Sequence, residues 1–180
     1  MKATGIVRRI DELGRVVIPK ELRRSFKINE GDPIEIFVEE GGEVILKKYS
    51  PIGEMKKLAQ EYADSLHDST GHNSIITDTE SIVAVANGED ANALIGKEVG
   101  KAISKALDSK KTVVLQDATS EDLSPQAIDV RSMVVAPIIT PDADVTGAVV
   151  LYSKTETFGD FEKKITETAA SFLGKQIDLG

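Results

Sequence analysis

Arg8, Arg9, Arg15, Lys20, Arg23 and Arg24 crowd the start of a 180-residue chain. With Lys2 and Lys27 they make eight basic residues against three acidic ones, Asp11, Glu12 and Glu21, a net +5 over positions 2–27. The whole chain is −8, so the remainder carries −13. A guanidinium is a planar fork of donors that matches phosphate oxygens and base edges and fits a narrow minor groove. At physiological salt, electrostatic attraction fades over ~8 Å, so a phosphate responds to the patch it touches and not to a distant acidic surface. A basic face segregated on an acidic body is the footprint of a DNA binder that carries a separate second module. Asp11 and Glu12 stand among the cations and read as turn residues that orient the arginines.

Other chemistries find little support. There is no cysteine, which excludes disulfides, thiolate nucleophiles and cysteine-ligated zinc. His67 lies near Asp64 and Asp68, and His72 follows shortly, but a metal site needs three or four converging ligands and no recognisable spacing supplies them. Both read as helix-end or surface histidines, and no metal is expected. No nucleophile elbow, Walker loop or histidine-centred triad occurs. Gly96-Lys97-Glu98-Val99-Gly100 lacks the phosphate-loop spacing and reads as a turn or a helix-packing segment. No enzyme is expected, and catalytic residues are none. With 4% aromatics and no tryptophan, a stacking platform for single strands is disfavoured. No apolar run reaches the ~20 residues of a membrane span, and residues 1–9 lack a signal-peptide core. A cytoplasmic protein is the expectation.

The elements that must position the cations are short. Ile6, Arg8 and Ile10 share one parity, Asp11-Glu12-Leu13-Gly14 reads as a turn, and residues 15–18 read as a second strand. Pro19 stops that strand and suits the first turn of a helix over 20–27, with Leu22 and Phe26 on its buried face. Gly31-Asp32-Pro33 breaks the chain. Strands follow at 34–38 and 43–47 around Gly41-Gly42. Four strands and a two-turn helix in under 50 residues bury too little to fold alone. A homodimer sharing one core is the simplest remedy.

Residues 51–55 read as a linker. A helix from about 54 to 69 aligns Met55, Leu58, Ala59, Tyr62, Ala63 and Leu66 and ends at Gly71. Strands are expected at 74–77 and 82–86, before an Asn87-Gly88 turn, a helix over 91–107 and a strand at 112–116. Residues 117–130 read as a loop. Two apolar strands, 133–139 and 145–152, flank a Pro141-Asp142-Ala143-Asp144 turn, and a helix at 160–177 closes the chain. This order implies an α+β domain with a largely antiparallel sheet.

The segment Gly5-Ile6-Val7-Arg8-Arg9-Ile10, Asp11-Glu12-Leu13-Gly14-Arg15-Val16-Val17-Ile18-Pro19 and Glu21-Leu22-Arg23-Arg24, continuing to Val44-Ile45-Leu46-Lys47-Lys48-Tyr49, closely resembles the AbrB-like DNA-binding domains. The resemblance implies an all-β-type swapped-hairpin barrel formed as a dimer. It implies that Arg8, Arg15, Arg23 and Arg24 approach double-stranded DNA, with Arg9 and Lys20 as helpers and Lys2 within reach of phosphate. It also implies indirect readout of A/T-rich promoters. Residues Arg131-Ser132-Met133-Val134-Val135-Ala136-Pro137-Ile138 and Gly147-Ala148-Val149-Val150-Leu151 resemble a GAF domain. In series, the modules resemble transcription regulators, activator and repressor both, of late forespore genes in endospore-forming bacteria.

The expected organisation is a DNA-binding domain at 1–50, a linker at 51–55 and a GAF-like sensor and oligomerisation domain at 56–180. The expected assembly is a homo-oligomer: a dimer through 1–50, tied into a tetramer through the C-terminal helices, nucleoid-associated and without membrane partners. No cofactor is expected, and an unidentified small-molecule ligand of the GAF-like domain stays open. Two rival readings remain: an antitoxin with an AbrB-type head, and a metabolite-sensing GAF protein whose head only dimerises.

Overall fold

The computed structural model describes residues 5–86, 91–125 and 128–177. The chain divides into two units, Met1–Tyr49 and Ser50–Gly180. Lys2 and the expected Asn87-Gly88 turn lie outside the described residues.

In the first unit the helix α1 (Lys20–Ser25) is shorter than its expected span of 20–27. Lys27 takes a left-handed backbone at φ 50°, which a continuing helix does not allow. The strands β1 (Ile34–Val38) and β2 (Val44–Lys48) form an antiparallel hairpin in which Ile36 faces Leu46 and Val38 faces Val44. Gly42, at φ 80°, donates its N–H to the Glu39 carbonyl and closes the turn. The strands expected at 6–10 and 15–18 do not form within the chain. A strand needs a ladder, and here the Asp11–Arg15 pairing across the turn is not continued by strand structure on either side. Nor does Phe26 find the buried face expected of it: it is 61% exposed. Apart from Pro19, no apolar side chain in 5–49 is buried. Val7, Ile10, Leu13, Val17, Ile36, Val38 and Val44 all remain open.

The second unit is built oppositely, around a full core. Residues 51–55 are not a linker: Pro51–Glu54 forms α2, with Ile52 fully buried. The Ser50 hydroxyl caps α2 by accepting from the Gly53 N–H at 3.0 Å, and donates to the Asp78 carboxylate at 3.1 Å. Next come α3 (Lys56–Thr70), β3 (Asn73–Thr77), β4 (Ile82–Val85) and α4 (Ala91–Leu94). The chain continues through α5 (Lys101–Ser109), β5 (Val113–Leu115), α6 (Ser120–Leu123) and β6 (Ser132–Ile139). It ends with β7 (Val145–Ser153) and α7 (Asp160–Gln176). The sheet order is β4-β3-β7-β6-β5, every pair antiparallel.

The alternation of apolar residues fixes which face each strand buries. Val134, Ala136, Ile138, Val149 and Leu151 pack with Ala59, Ala63 and Leu66 of α3 and Ala169, Ala170 and Leu173 of α7. Met133, Val135, Ala148, Val150 and Tyr152 pack on the other face with Leu94 and with Ala102, Ile103 and Ala106 of α5. Helices therefore cover the sheet on both sides, which is why β6 and β7 read as nearly continuous apolar runs. Pro137 is tolerated within β6 because the ladder to β5 ends at Val135.

The helix expected over 91–107 is broken after α4. Gly96 sits at φ 77°, and Ser81 bridges Glu98 before α5 begins. Gly100 passes so close to the backbone of Glu121 and Asp122 that a Cβ there would lie 2.5 Å from it. The glycine-bounded segment 96–100 thus both turns the chain and packs a helix. The expected loop at 117–130 holds α6, whose start is closed by Asp122 accepting from the Thr119 N–H and hydroxyl at 2.9 and 2.8 Å.

Candidate nucleic-acid interface

All six cations singled out from the sequence are exposed in the first unit. Arg8 and Arg9 precede the Asp11–Gly14 turn and Arg15 follows it. The turn closes when Gly14 donates to the Asp11 carbonyl and Asp11 donates to the Arg15 carbonyl, both at 3.0 Å. Gly14 takes φ 76°, a conformation that suits glycine at that corner. Arg8 Nη1 donates to its neighbour Val7's carbonyl at 3.2 Å.

Asp11 is the organising residue of this turn. Its Oδ1 accepts from the backbone N–H of Leu13 at 3.0 Å and of Arg15 at 2.8 Å, and its Oδ2 accepts from Arg15 Nε at 2.8 Å. The Arg15 amide, then the Arg15 guanidinium, hold the carboxyl below the usual carboxylate range. Of the two acidic residues read as orienting the arginines, the structure gives this arrangement to Asp11.

Lys20, Arg23 and Arg24 lie on α1. Pro19 sits before the helix and its carbonyl accepts from the Arg23 N–H at 3.0 Å. Arg23 and Arg24 fall in the last turn, where cations complement the carbonyl end of the helix dipole. Among the described residues, the side chains of Arg9, Lys20, Arg23 and Arg24 form no ion pair with an acid of their own chain.

Sequence reasoning missed the brace behind α1. Lys48 Nζ reaches Asp32 Oδ2 at 3.2 Å and the Lys27 carbonyl at 3.3 Å, while Asp32 Oδ2 also accepts from the Asn29 N–H at 2.8 Å. This ties the end of β2 to the turn after α1, so the hairpin braces the helix that bears Arg23 and Arg24. The only sequence signal was an acid just after Gly31, which read as turn chemistry.

In the second unit the histidines are structural. His67 Nδ1 lies 2.8 Å from the His72 carbonyl. The His72 ring rests on Phe158 with centroids 4.7 Å apart, between Glu156 at 3.5 Å and Glu162 at 3.7 Å. Among the described residues, no group of three metal-ligating side chains converges. A cleft of about 810 Å³ runs along the outer side of α5 and α6, bordered by Glu98, Lys101, Ser104, Lys105, Asp108 and Glu121. Lys101 and Glu121 pair with each other beside it. It lies on the face of α5 that carries Lys101, Ser104, Lys105 and Asp108, opposite Ala102, Ile103 and Ala106, which pack on the sheet.

Comparison with known proteins places both units. A family model described as the stage V sporulation protein T C-terminal, transcription factor, matches residues 54–178. A second, antidote-toxin recognition MazE, bacterial antitoxin, matches residues 7–54. Stage V sporulation protein T of Bacillus subtilis (strain 168) is 49% identical over 179 residues, 99% of either chain. The transition state regulatory protein AbrB of the same organism is 63% identical over 51 residues, 28% of this chain and 52% of that one. The crystal structure of a putative GAF sensor protein from Burkholderia vietnamiensis superposes with a TM-score of 0.52 at 16% identity, covering 68% of this chain and 76% of that one.

The class is thereby defined: a transcription regulator with an AbrB-like N-terminal domain and an α+β domain of GAF fold. The chain belongs to the stage V sporulation protein T family.

Proposed function

We propose that the protein regulates late, forespore-stage sporulation genes by binding double-stranded, A/T-rich promoter DNA, as activator at some promoters and repressor at others. Arg8, Arg15, Arg23 and Arg24 approach the DNA, with Arg9 and Lys20 contributing phosphate contacts. The observation that carries this reading is an exposed set of cations, five of them arginines, of which, among the described residues, Arg15 alone is engaged by an acid of its own chain, in a domain 63% identical to part of AbrB. Arginine so presented suits phosphates and the narrow minor groove of A/T-rich tracts. The protein acts by binding and not by catalysis.

Two chains share the N-terminal barrel. That reading is supported by a unit whose apolar residues find no interior in one chain, and by strand segments at 6–10 and 15–18 that find no ladder there. The C-terminal domains then join dimers into a tetramer through α3 and α7. On these helices Tyr62 stacks on Phe172 with centroids 5.2 Å apart, and Phe161 is 63% exposed. Two linked heads raise the effective concentration of the second DNA contact. The protein works in the cytoplasm, on the nucleoid. A small-molecule ligand of the GAF-like domain would act only by favouring one arrangement of the heads over another.

Fluorescence anisotropy of the full-length protein against A/T-rich and G/C-rich duplexes, each across a salt series, tests the reading. Tight binding with a steep log–log salt slope and a preference for the A/T-rich duplex is the expected result. No binding at low salt overturns it and favours a head that only dimerises. The MazE match over 7–54 favours a second reading, an antitoxin. The antitoxin reading calls for an unstructured acidic tail, whereas residues 50–177 carry a two-sided core. Rapid proteolysis of that region in the full-length protein would revive it.

A further inference from the structure

Resting on the DNA-binding reading above, we infer that Asp11 is a positioning residue that sets which edge of Arg15 meets DNA, and thereby contributes to discrimination between duplexes more than to affinity. A guanidinium has two donor edges. One combines Nε with an adjacent Nη, and the other consists of the two Nη groups. In this turn Arg15 Nε is engaged by Asp11 Oδ2 at 2.8 Å. That commits the first edge to the protein and leaves the Nη pair facing outward from a side chain 71% exposed.

The carboxylate can serve as an anchor because it is itself anchored. Oδ1 accepts two backbone amides, Leu13 and Arg15, so Asp11 is fixed by the turn it closes and fixes in turn the side chain at the turn's end. An exposed ion pair contributes little to stability. What it supplies here is orientation: rotamer freedom that Arg15 would otherwise lose on binding is already restricted. It also sets a negative charge beside a phosphate-seeking cation. That charge weakens contact with any duplex and leaves more of the binding to depend on groove shape. Glu12, its neighbour, makes no comparable bonds to an arginine among the described residues.

The test uses the full-length protein, with anisotropy on A/T-rich and G/C-rich duplexes across a salt series. Asp11→Asn keeps an oxygen for the turn amides and removes the charge. Its A/T over G/C preference should fall about two- to tenfold, the range expected from freeing one long side chain, while its salt slope becomes steeper. Arg15→Lys keeps the cation but loses the fork, and should lose a similar factor of preference with its salt slope maintained. In an Arg15→Ala background, Asp11→Asn should cost no further preference, because the residue it positions is gone.

A further loss in that background, or an unchanged preference for Asp11→Asn where Arg15→Ala lowers it, overturns the inference and leaves Asp11 as a turn residue only. If Arg15→Ala changes neither affinity nor slope, the failure lies with Arg15 as a DNA contact and the positioning role falls with it. If Asp11→Asn lowers the melting temperature enough to compromise the head, the Arg15→Lys arm decides: a preserved preference overturns the inference.

Discussion

Arg23 and Arg24 share one helical turn and have no acidic partner among the described residues, so their charge is available to a polyanion. Arg23→Ala should therefore weaken DNA binding and lower the salt slope by about one unit, as expected when one phosphate is no longer neutralised. Anisotropy across a salt series reads both quantities, and an unchanged slope removes Arg23 from the interface. At this scale the sequence shows where the cations cluster, because clustered arginine is a compositional signal, and the structure leaves all six exposed. It could not separate Asp11 from Glu12. Two adjacent acids in a turn look alike until backbone geometry decides which one closes it, and here Oδ1 of Asp11 does. The Lys48–Asp32 brace was likewise hidden, since its partners are distant in sequence and meet only when β2 returns past the end of α1.

Among the elements, α7 shows how tightly the GAF-like domain is assembled. Gly174 faces β6 at the Ile139 carbonyl, and a Cβ there would collide with it. Glycine-to-alanine in a helix ordinarily stabilises by a few tenths to 1 kcal/mol. Gly174→Ala should instead destabilise by about 1–3 kcal/mol through overpacking, measured by urea denaturation. The start of the same helix carries a pH dependence. Glu162 Oε2 accepts from the Gly159 N–H at 2.7 Å, and this bond is the main reason its carboxyl is held below the usual range, with His72 adding a smaller attraction. A folded value below the unfolded one stabilises the protein above the ordinary glutamate value of ~4.3 and ceases to do so as the pH falls through the folded value. The stability gap between wild type and Glu162→Gln should be full near pH 6 and close towards pH 3, as followed by thermal melts. Periodicity located α3, α7 and the central strands well, because long amphipathic or apolar runs leave few alternatives. It failed at 91–107, where an apolar pattern runs on but Gly96 at φ 77° breaks the helix, and at 51–55, where Pro51-Ile52-Gly53 read as a linker but Ile52 is buried in the core.

Over the whole molecule the two units differ in kind. Ser50–Gly180 has core layers on both faces of its sheet, whereas Met1–Tyr49 buries no apolar side chain but Pro19 among its described residues. Hydrophobic burial is the dominant favourable term in folding, so the head must obtain its interior from a second chain. Its melting should therefore shift upward with protein concentration, as linked folding and association require, when differential scanning calorimetry is run on the full-length protein over a hundredfold range. A head transition independent of concentration would mean that one chain suffices. The sequence anticipated this division because fewer than 50 residues without a disulfide cannot enclose much.

A head without an interior of its own makes the regulator sensitive to dosage. Single chains present the arginines on an unfinished scaffold, and finished heads accumulate with the square of the chain concentration while they are scarce. A twofold rise in synthesis would then yield about four times as many competent heads. Promoters under its control would respond to the onset of expression as a threshold and to its decline as an abrupt release. The exposed valines and isoleucines of the head, which in a finished domain would count as a defect, would then set the point at which control begins.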